Sequence, residues 1–254
     1  MNYRHITFAV AFVLALLSGP ASAEPRAVVE LFTSQGCSSC PAADKLLGEL
    51  SRDPSLVTMS LAVDYWDYLG WKDTLALHGH SNRQRAYAEA RGDREVYTPQ
   101  VVVNGVVHAL GSDKSAIEKA IAQTRRNPAT LSLPVTMVVA DGKVTVSVPD
   151  AQGEKHSGEV WLCPVTSKVA VQIARGENHD RTLTYHNVVR RWMKLGDWNG
   201  KASTYSAALS EIPKGDYSLK DIDRLDVVVQ SGVAAKPGLM LGAATTSCCT
   251  SPSN

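Results

Sequence analysis

The chain has 254 residues, 44% of them hydrophobic, and its 26 basic and 25 acidic side chains leave a formal charge of +1. No basic stripe or tail is present, since Arg125-Arg126 and Arg190-Arg191 are isolated pairs, and nucleic-acid binding therefore has no support. Beyond Leu17 no apolar run reaches the ~20 residues that a membrane-crossing helix needs.

Arg4, the apolar stretch Ile6 to Leu17 and the small-residue run Ala21-Ser22-Ala23 read as a secretory leader, residues 1–23. The alternative is an uncleaved N-terminal anchor. With the leader removed, the chain begins near Glu24 and has no stable membrane insertion. Its expected location is periplasmic or secreted, where disulfides persist.

Residues 24–127 have an α/β rhythm. Val28 to Phe32 reads as a buried strand, Ala42 to Leu50 as a helix, and Leu56 to Val63 as a second strand covered on both faces. A short helix is expected within Leu69–Gly79 and a longer one over Asn82–Ala90, ending near Gly92. Thr98 to His108 contains Asn104-Gly105 between valine-rich runs, which predicts a type I′ hairpin. Ser112 to Ser115 caps a last helix running to about Thr124.

Asn127-Pro128 marks the expected boundary, and residues 128–247 read as β-rich. Pro134–Ala140 and Lys143–Val148 flank the turn Asp141-Gly142. Glu159–Val165, Lys168–Ala174, Thr182–Val189 and Leu225–Gln230 are further strands, and Ala202–Leu209 is a short helix. Short strands between Gly-, Asp- and Pro-rich turns predict a small sandwich or barrel. Residues 248–254 form a tail.

The five cysteines are Cys37, Cys40, Cys163, Cys248 and Cys249, an odd number that leaves at least one outside an intramolecular disulfide. Cys37-Ser38-Ser39-Cys40-Pro41 opens the first helix. There the amide groups and helix dipole stabilise a thiolate, which favours nucleophilic attack or departure as a leaving group. A structural disulfide, or half of a metal site, is the alternative.

The order strand, CxxC, helix, strand, helix, Thr-Pro, hairpin, helix resembles the thioredoxin-like superfamily. Cys37 matches that family's nucleophilic cysteine, Cys40 its resolving cysteine, and Pro99 its cis-proline. The resemblance implies that the Thr98-Pro99 loop lies against the CxxC turn and pairs with a substrate chain. The segment Glu30 to Pro41 (ELFTSQGCSSCP) is, in addition, similar to a family of uncharacterised secreted proteins in which such a domain precedes a β-rich one. Two departures from familiar thioredoxins stand out. Proline follows the second cysteine instead of lying between the pair, and the stretch from Cys40 to Pro99 is long and carries Tyr65, Trp66, Tyr68 and Trp71.

Glu30 interrupts an apolar strand. If it lies beneath Cys40 it accepts the resolving thiol's proton; otherwise it is an edge or end-of-strand acid bonded to Lys45 or another base. Trp66 and Trp71 either wall a peptide site beside the redox turn or pack an inserted loop. Cys163 is expected to bridge to Cys248 or Cys249 as a structural disulfide, with a vicinal Cys248–Cys249 bond as the alternative. Gly176 to Arg181 reads as a polar hairpin turn. His78, His80 and His108 are separated by whole elements, so no metal ligand is assigned.

These readings lead to an α/β plus β protein, thioredoxin-like in front and sandwich or barrel-like behind. Its expected activity is thiol–disulfide exchange on an exported protein or peptide, with an unidentified redox partner and no cofactor. The alternatives are a partner-binding protein with a structural Cys37–Cys40 disulfide, or a copper- or zinc-binding module.

Overall fold

The computed structural model describes residues 25–151 and 156–249. The expected leader and residues 250–254 of the expected tail lie outside the described residues.

The apolar, β-branched runs Ala27–Thr33 (β1) and Leu56–Ala62 (β2) are buried along their whole length and pair in parallel. Helix α1 (Cys40–Leu50) is the crossover between them, as parallel pairing demands. Helix α2 (His78–Arg91) follows, then β3 (Gln100–Val103), antiparallel to β1, and β4 (Val107–Leu110), antiparallel to β3. Helix α3 (Lys114–Thr124) is capped by Asp113, whose carboxylate accepts from Ala116 N at 3.0 Å.

Alternation along β1 sorts its side chains onto two faces. Ala27, Val29 and Leu31 pack with Ala43, Leu46, Leu47 and Leu50 of α1 and with Ile117 and Ile121 of α3. Val28 and Phe32 face the other way, toward Tyr87 of α2.

The second half supplies β5 (Thr136–Ala140), β6 (Lys143–Val148), β7 (Gly158–Gln172), β8 (Thr182–Val189), β9 (Met193–Trp198), β10 (Ser203–Ala208), β11 (Arg224–Val233) and β12 (Lys236–Ser247). A nine-stranded sheet runs β12-β11-β7-β8-β2-β1-β3-β4, with β9 also on β7; β10-β6-β5 forms a second, three-stranded sheet. Val144, Val146 and Val148 of β6 bury against Val160, Leu162, Leu225, Val227 and Val229 of the large sheet.

The large sheet passes from one half of the chain to the other where β2 meets β8, Ser60 opposite Val188. Cys163, Val165, Val228 and Met240 share a core with Val28, Phe32 and Met59. The expected boundary at residue 128 thus marks a change of element type without a break in the sheet.

Four local expectations need correction, the first being the short helix within Leu69–Gly79: residues 70–77 form no helix, and only a 3-10 turn, Asp67–Leu69, precedes them. Residues 159–165 and 168–174 belong largely to one strand, β7, which exchanges β11 for β8 as partner near Val165. The Ser167 amide at that point is satisfied by Asp223 Oδ1 at 2.9 Å, so no turn is required. Residues 203–208 form strand β10, paired residue for residue with β6, instead of a short helix. The β3–β4 loop contains three residues, Asn104 to Val106, closed by Val106 N donating to Val103 O. Strand β12, not anticipated, relies on small residues: a Cβ on Gly242 would stand 2.6 Å from Val135 Cγ2.

Candidate functional site

The turn leaving β1 is held mainly by backbone and short polar groups. Cys37 N donates to Ser34 O at 3.2 Å, and Gly36 N to Ser34 Oγ at 3.1 Å. Helix α1 then begins at Cys40 with Pro41 in its first turn, where the missing N–H leaves no helical bond unmade. Cys37 and Cys40 form a disulfide, their Cα atoms 5.4 Å apart.

The Thr98–Pro99 peptide is cis, and Cys37 Sγ lies 3.8 Å from Thr98 O. Thr98, Pro99, Cys37 and Cys40 are therefore brought together. Trp66 joins them, since its Nε1 donates to Thr98 Oγ1 at 2.8 Å. Gly36 keeps Trp66 close: a Cβ there would meet Trp66 Cβ at 3.1 Å. Trp71 sits one residue layer back, its Nε1 donating to Gln35 Oε1 at 2.8 Å. Gln35 N in turn donates to Asp73 Oδ2 at 2.7 Å.

Both half-cystines are 0% exposed, whereas Ser38 and Ser39 between them face solvent. The cover includes the hairpin turn between β7 and β8. Asn178 Nδ2 donates to the carbonyls of Gln35 and Cys37, each at 2.9 Å, and Ser38 N donates to Glu177 Oε2 at 3.0 Å. The Ser38 bonds hold the Glu177 carboxyl pKa below its ordinary value. Residues 176–181 read from sequence as a polar hairpin turn, with His179, Asp180 and Arg181 as the alternative binding or acid–base groups; nothing local in them announces that Glu177 and Asn178 rest on the disulfide turn.

Glu30 does not lie beneath Cys40. It shares a β1 face with Val28 and Phe32, while α1 packs on the opposite face. Arg83 Nε donates to Glu30 Oε1 at 2.7 Å and Tyr87 Oη to Oε2 at 2.5 Å. β1 is flanked by β2 and β3, so this is an interior acid with a buried arginine partner, not an edge glutamate.

The acid on the α1 side of the sheet is Asp44, four residues after Cys40 and thus on the same face of α1 one turn on. Burial pushes its pKa up to about 8, with the nearby Thr33 hydroxyl opposing and Asp73 reinforcing the rise. Neither carboxyl oxygen has a hydrogen-bond partner of ordinary geometry among the described residues. Asp73 is raised to about 6 for the same main reason, despite accepting from Gln35 N. An aspartate on the apolar face of α1, beside Ala43 and Leu47, was a signal available in the sequence.

Cys163 does not pair with Cys248 or Cys249. It is buried and free, with the Cys248–Cys249 bond formed between neighbours instead. The cause is parity along β7: Cys163 faces the core shared with α2, whereas Leu162 and Cys248 face the core under the small sheet. Burial raises the Cys163 thiol pKa well above its ordinary value.

His78, His80 and His108 do not converge. Their Nδ1 atoms meet Asp64 Oδ2 at 2.8 Å, Ala62 O at 3.0 Å and Tyr97 Oη at 3.0 Å respectively. Among the described residues no group of three or more His, Cys, Asp or Glu side chains is arranged to hold a metal.

A mixed α/β scaffold with a covered disulfide at a helix start, facing a cis X–Pro bond, defines the class of protein. The chain belongs to the family described as "Protein of unknown function (DUF1223)", whose model matches residues 28–230. It is similar to the crystal structure of protein AGR_C_4864 from Agrobacterium tumefaciens, with 31% identity, 87% of this chain and 94% of that chain covered, and a TM-score of 0.76. HBP35 of Porphyromonas gingivalis is similar in fold alone, at 12% identity over 88% of this chain and 75% of that one, with a TM-score of 0.55. No curated protein matches the chain.

Proposed function

We propose that the chain is an exported thiol–disulfide oxidoreductase, thioredoxin-like in its first half, acting on a protein or peptide in the periplasm or outside the cell. The observation that carries this reading is the Cys37–Cys40 disulfide set against the cis Thr98–Pro99 peptide, with Thr98 O 3.8 Å from Cys37 Sγ. An extended substrate chain pairs with the backbone at Thr98, which brings its sulfur to Cys37.

Starting from the disulfide, a substrate thiolate attacks Cys37 Sγ, the Cys37–Cys40 bond breaks, and Cys40 leaves as a thiolate. A second substrate thiolate then attacks the substrate sulfur of the mixed disulfide and displaces Cys37. The substrate is oxidised to a disulfide, and the Cys37–Cys40 pair receives two electrons. A redox partner of the same chemical class accepts them to restore the disulfide. The reverse sequence reduces a substrate disulfide. The proton role expected of Glu30 passes to Asp44: protonated below about pH 8, it protonates Cys40 as it leaves, and ionised, it accepts the Cys40 proton in the reverse direction.

Access is restricted. The Asn178 and Glu177 contacts must open before a substrate sulfur reaches Cys37. Burial of both half-cystines supports a second reading, a stabilising disulfide in a partner-binding protein. Trapping separates the two. With Cys40→Ser, the redox reading expects Cys37 to hold a stable mixed disulfide with a cysteine-containing peptide disulfide under native conditions; the structural reading expects no adduct until the chain unfolds.

A further inference from the structure

The stretch between β2 and α2, residues 63–77, reaches both loops that form the disulfide site. Trp66 is where it meets them. Its backbone and Cβ press on Gly36, where an added Cβ would stand 3.1 Å from Trp66 Cβ, and its Nε1 donates to Thr98 Oγ1 at 2.8 Å. One side chain thus touches the turn that precedes Cys37 and the residue that precedes the cis Pro99. The same stretch holds the first turn a second time. Trp71 Nε1 donates to Gln35 Oε1 at 2.8 Å, and Gln35 Nε2 donates to Thr74 Oγ1 at 3.1 Å.

Helix α2 fixes the proline loop from the other side. Gln84 is fully buried; its Nε2 donates to Tyr97 O and to Gln100 Oε1, each at 2.8 Å, and its Oε1 accepts from Tyr65 Oη at 3.1 Å. Gly111 N donates to Pro99 O at 2.9 Å. The carbonyls before and after that of Thr98 are therefore both engaged. The N–H and C=O of Thr98 itself make no hydrogen bond to another backbone group among the described residues. An open residue between two fixed neighbours is a short edge to which an extended chain can add.

The orientation of that edge depends on Thr98. Threonine is β-branched and stiff about its first side-chain torsion, so a bond that fixes its hydroxyl also restrains its backbone. Trp66 supplies that bond, with Thr98 O 3.8 Å from Cys37 Sγ.

We propose that Trp66 is a positioning residue for peptide substrates: through Thr98 Oγ1 it holds the open Thr98 edge where a paired chain delivers its sulfur to Cys37. This role rests on the exchange reading above. Trp66 acts through Thr98 and leaves the sulfur chemistry to the cysteines. A small thiol has no backbone to pair with Thr98, so it gains nothing from the bond. If Trp66 only packed the loop, its loss would affect small thiols and peptides alike.

The test is the rate at which the folded, oxidised chain is reduced by two dithiols, a linear peptide carrying two cysteines and dithiothreitol. Both must pass the Asn178 cover, so the ratio of the two rates isolates pairing at Thr98. Trp66→Phe removes the indole donor and keeps an aromatic ring. The peptide-to-dithiothreitol ratio is expected to fall severalfold, up to about tenfold, the equivalent of one hydrogen bond. Thr98→Val removes the acceptor and is expected to lower the ratio to the same degree. The double variant is expected to fall no further than either single one, because both remove the same bond. Either single variant decides the matter should the other fail to fold. An unchanged ratio in a folded variant, or additive effects in the double variant, overturns the positioning role and leaves the exchange standing. A folded parent that reacts with neither dithiol overturns the exchange itself, and the role of Trp66 with it.

Discussion

Asn178 donates its side-chain amide to the carbonyl of Cys37 at 2.9 Å, across 141 positions of sequence. The same NH2 group serves the carbonyl of Gln35, so one buried side chain closes the β1–α1 turn from the side of the β7–β8 hairpin.

Asn178→Ala leaves the Gln35 carbonyl without its donor, while the Cys37 carbonyl keeps Cys40 N at 3.2 Å, and the expected loss is about 1–3 kcal/mol. The expected result is a lower denaturation midpoint together with faster reduction of Cys37–Cys40 by dithiothreitol under native conditions. Unchanged reduction kinetics in the folded variant would show that the hairpin does not guard the disulfide.

Asp44 imposes a definite pH dependence. The unfolded chain loses this proton near the ordinary value of 3.8, while the folded chain keeps it to about pH 8. The folded state therefore holds the extra proton between those limits, and stability falls as pH rises through them. Asp73 acts in the same direction only to about pH 6, and His80, lowered to about 4 from 6.5, acts in the opposite direction only below 6.5. Between about pH 6.5 and 8 the slope is chiefly that of Asp44, approaching about 1.4 kcal/mol per pH unit. Denaturant titrations of Asp44→Asn across that window are expected to show the slope removed. An unchanged slope would place the titrating group elsewhere.

Glu30→Gln leaves Arg83 charged and buried without its counter-ion, and the expected loss of stability is about 3–5 kcal/mol. In whatever fraction stays folded, the pH profile of exchange at Cys37 is expected to match that of the parent, because Glu30 faces away from α1. A shifted profile with intact stability would return Glu30 to the chemistry.

Thiol counting checks the cysteine assignment. With disulfides at Cys37–Cys40 and Cys248–Cys249, only Cys163 remains a thiol. Native, unreduced chain is expected to resist iodoacetamide, and denatured, unreduced chain to take one carbamidomethyl group. Mass spectrometry locates that group, and a label on Cys248 or Cys249 would contradict the vicinal pairing.

Features governed by neighbours in sequence were legible before the fold was known. β1, α1 and β2 announce themselves through composition and period, and Cys37 through its position ahead of α1. The limits of that legibility are physical. Alternation puts Glu30 with Val28 and Phe32, yet which β1 face receives α1 is decided by how the helix crosses the sheet, not by β1 itself. The same parity separates Cys163 from Cys248. Asn178 reaches Cys37 only because β8 docks beside β2, a pairing between distant segments with no local mark. The expected helix over Ala202–Leu209 gives way to strand β10 because Ser203–Ala208 pairs with β6, a contact between distant segments with no local mark. Asp44 is the reverse case, visible in the helical spacing from Cys40.

The most direct measurement is the equilibrium of the Cys37–Cys40 pair against a glutathione redox buffer, followed by mass spectrometry of alkylated chains. The proposed exchange predicts a reversible dithiol–disulfide equilibrium, with a potential between about −120 and −270 mV and glutathione mixed disulfide detectable on Cys37. A pair that stays oxidised throughout, with a potential below about −300 mV and no exchange in the folded chain, would contradict it and leave Cys37–Cys40 as a structural bond.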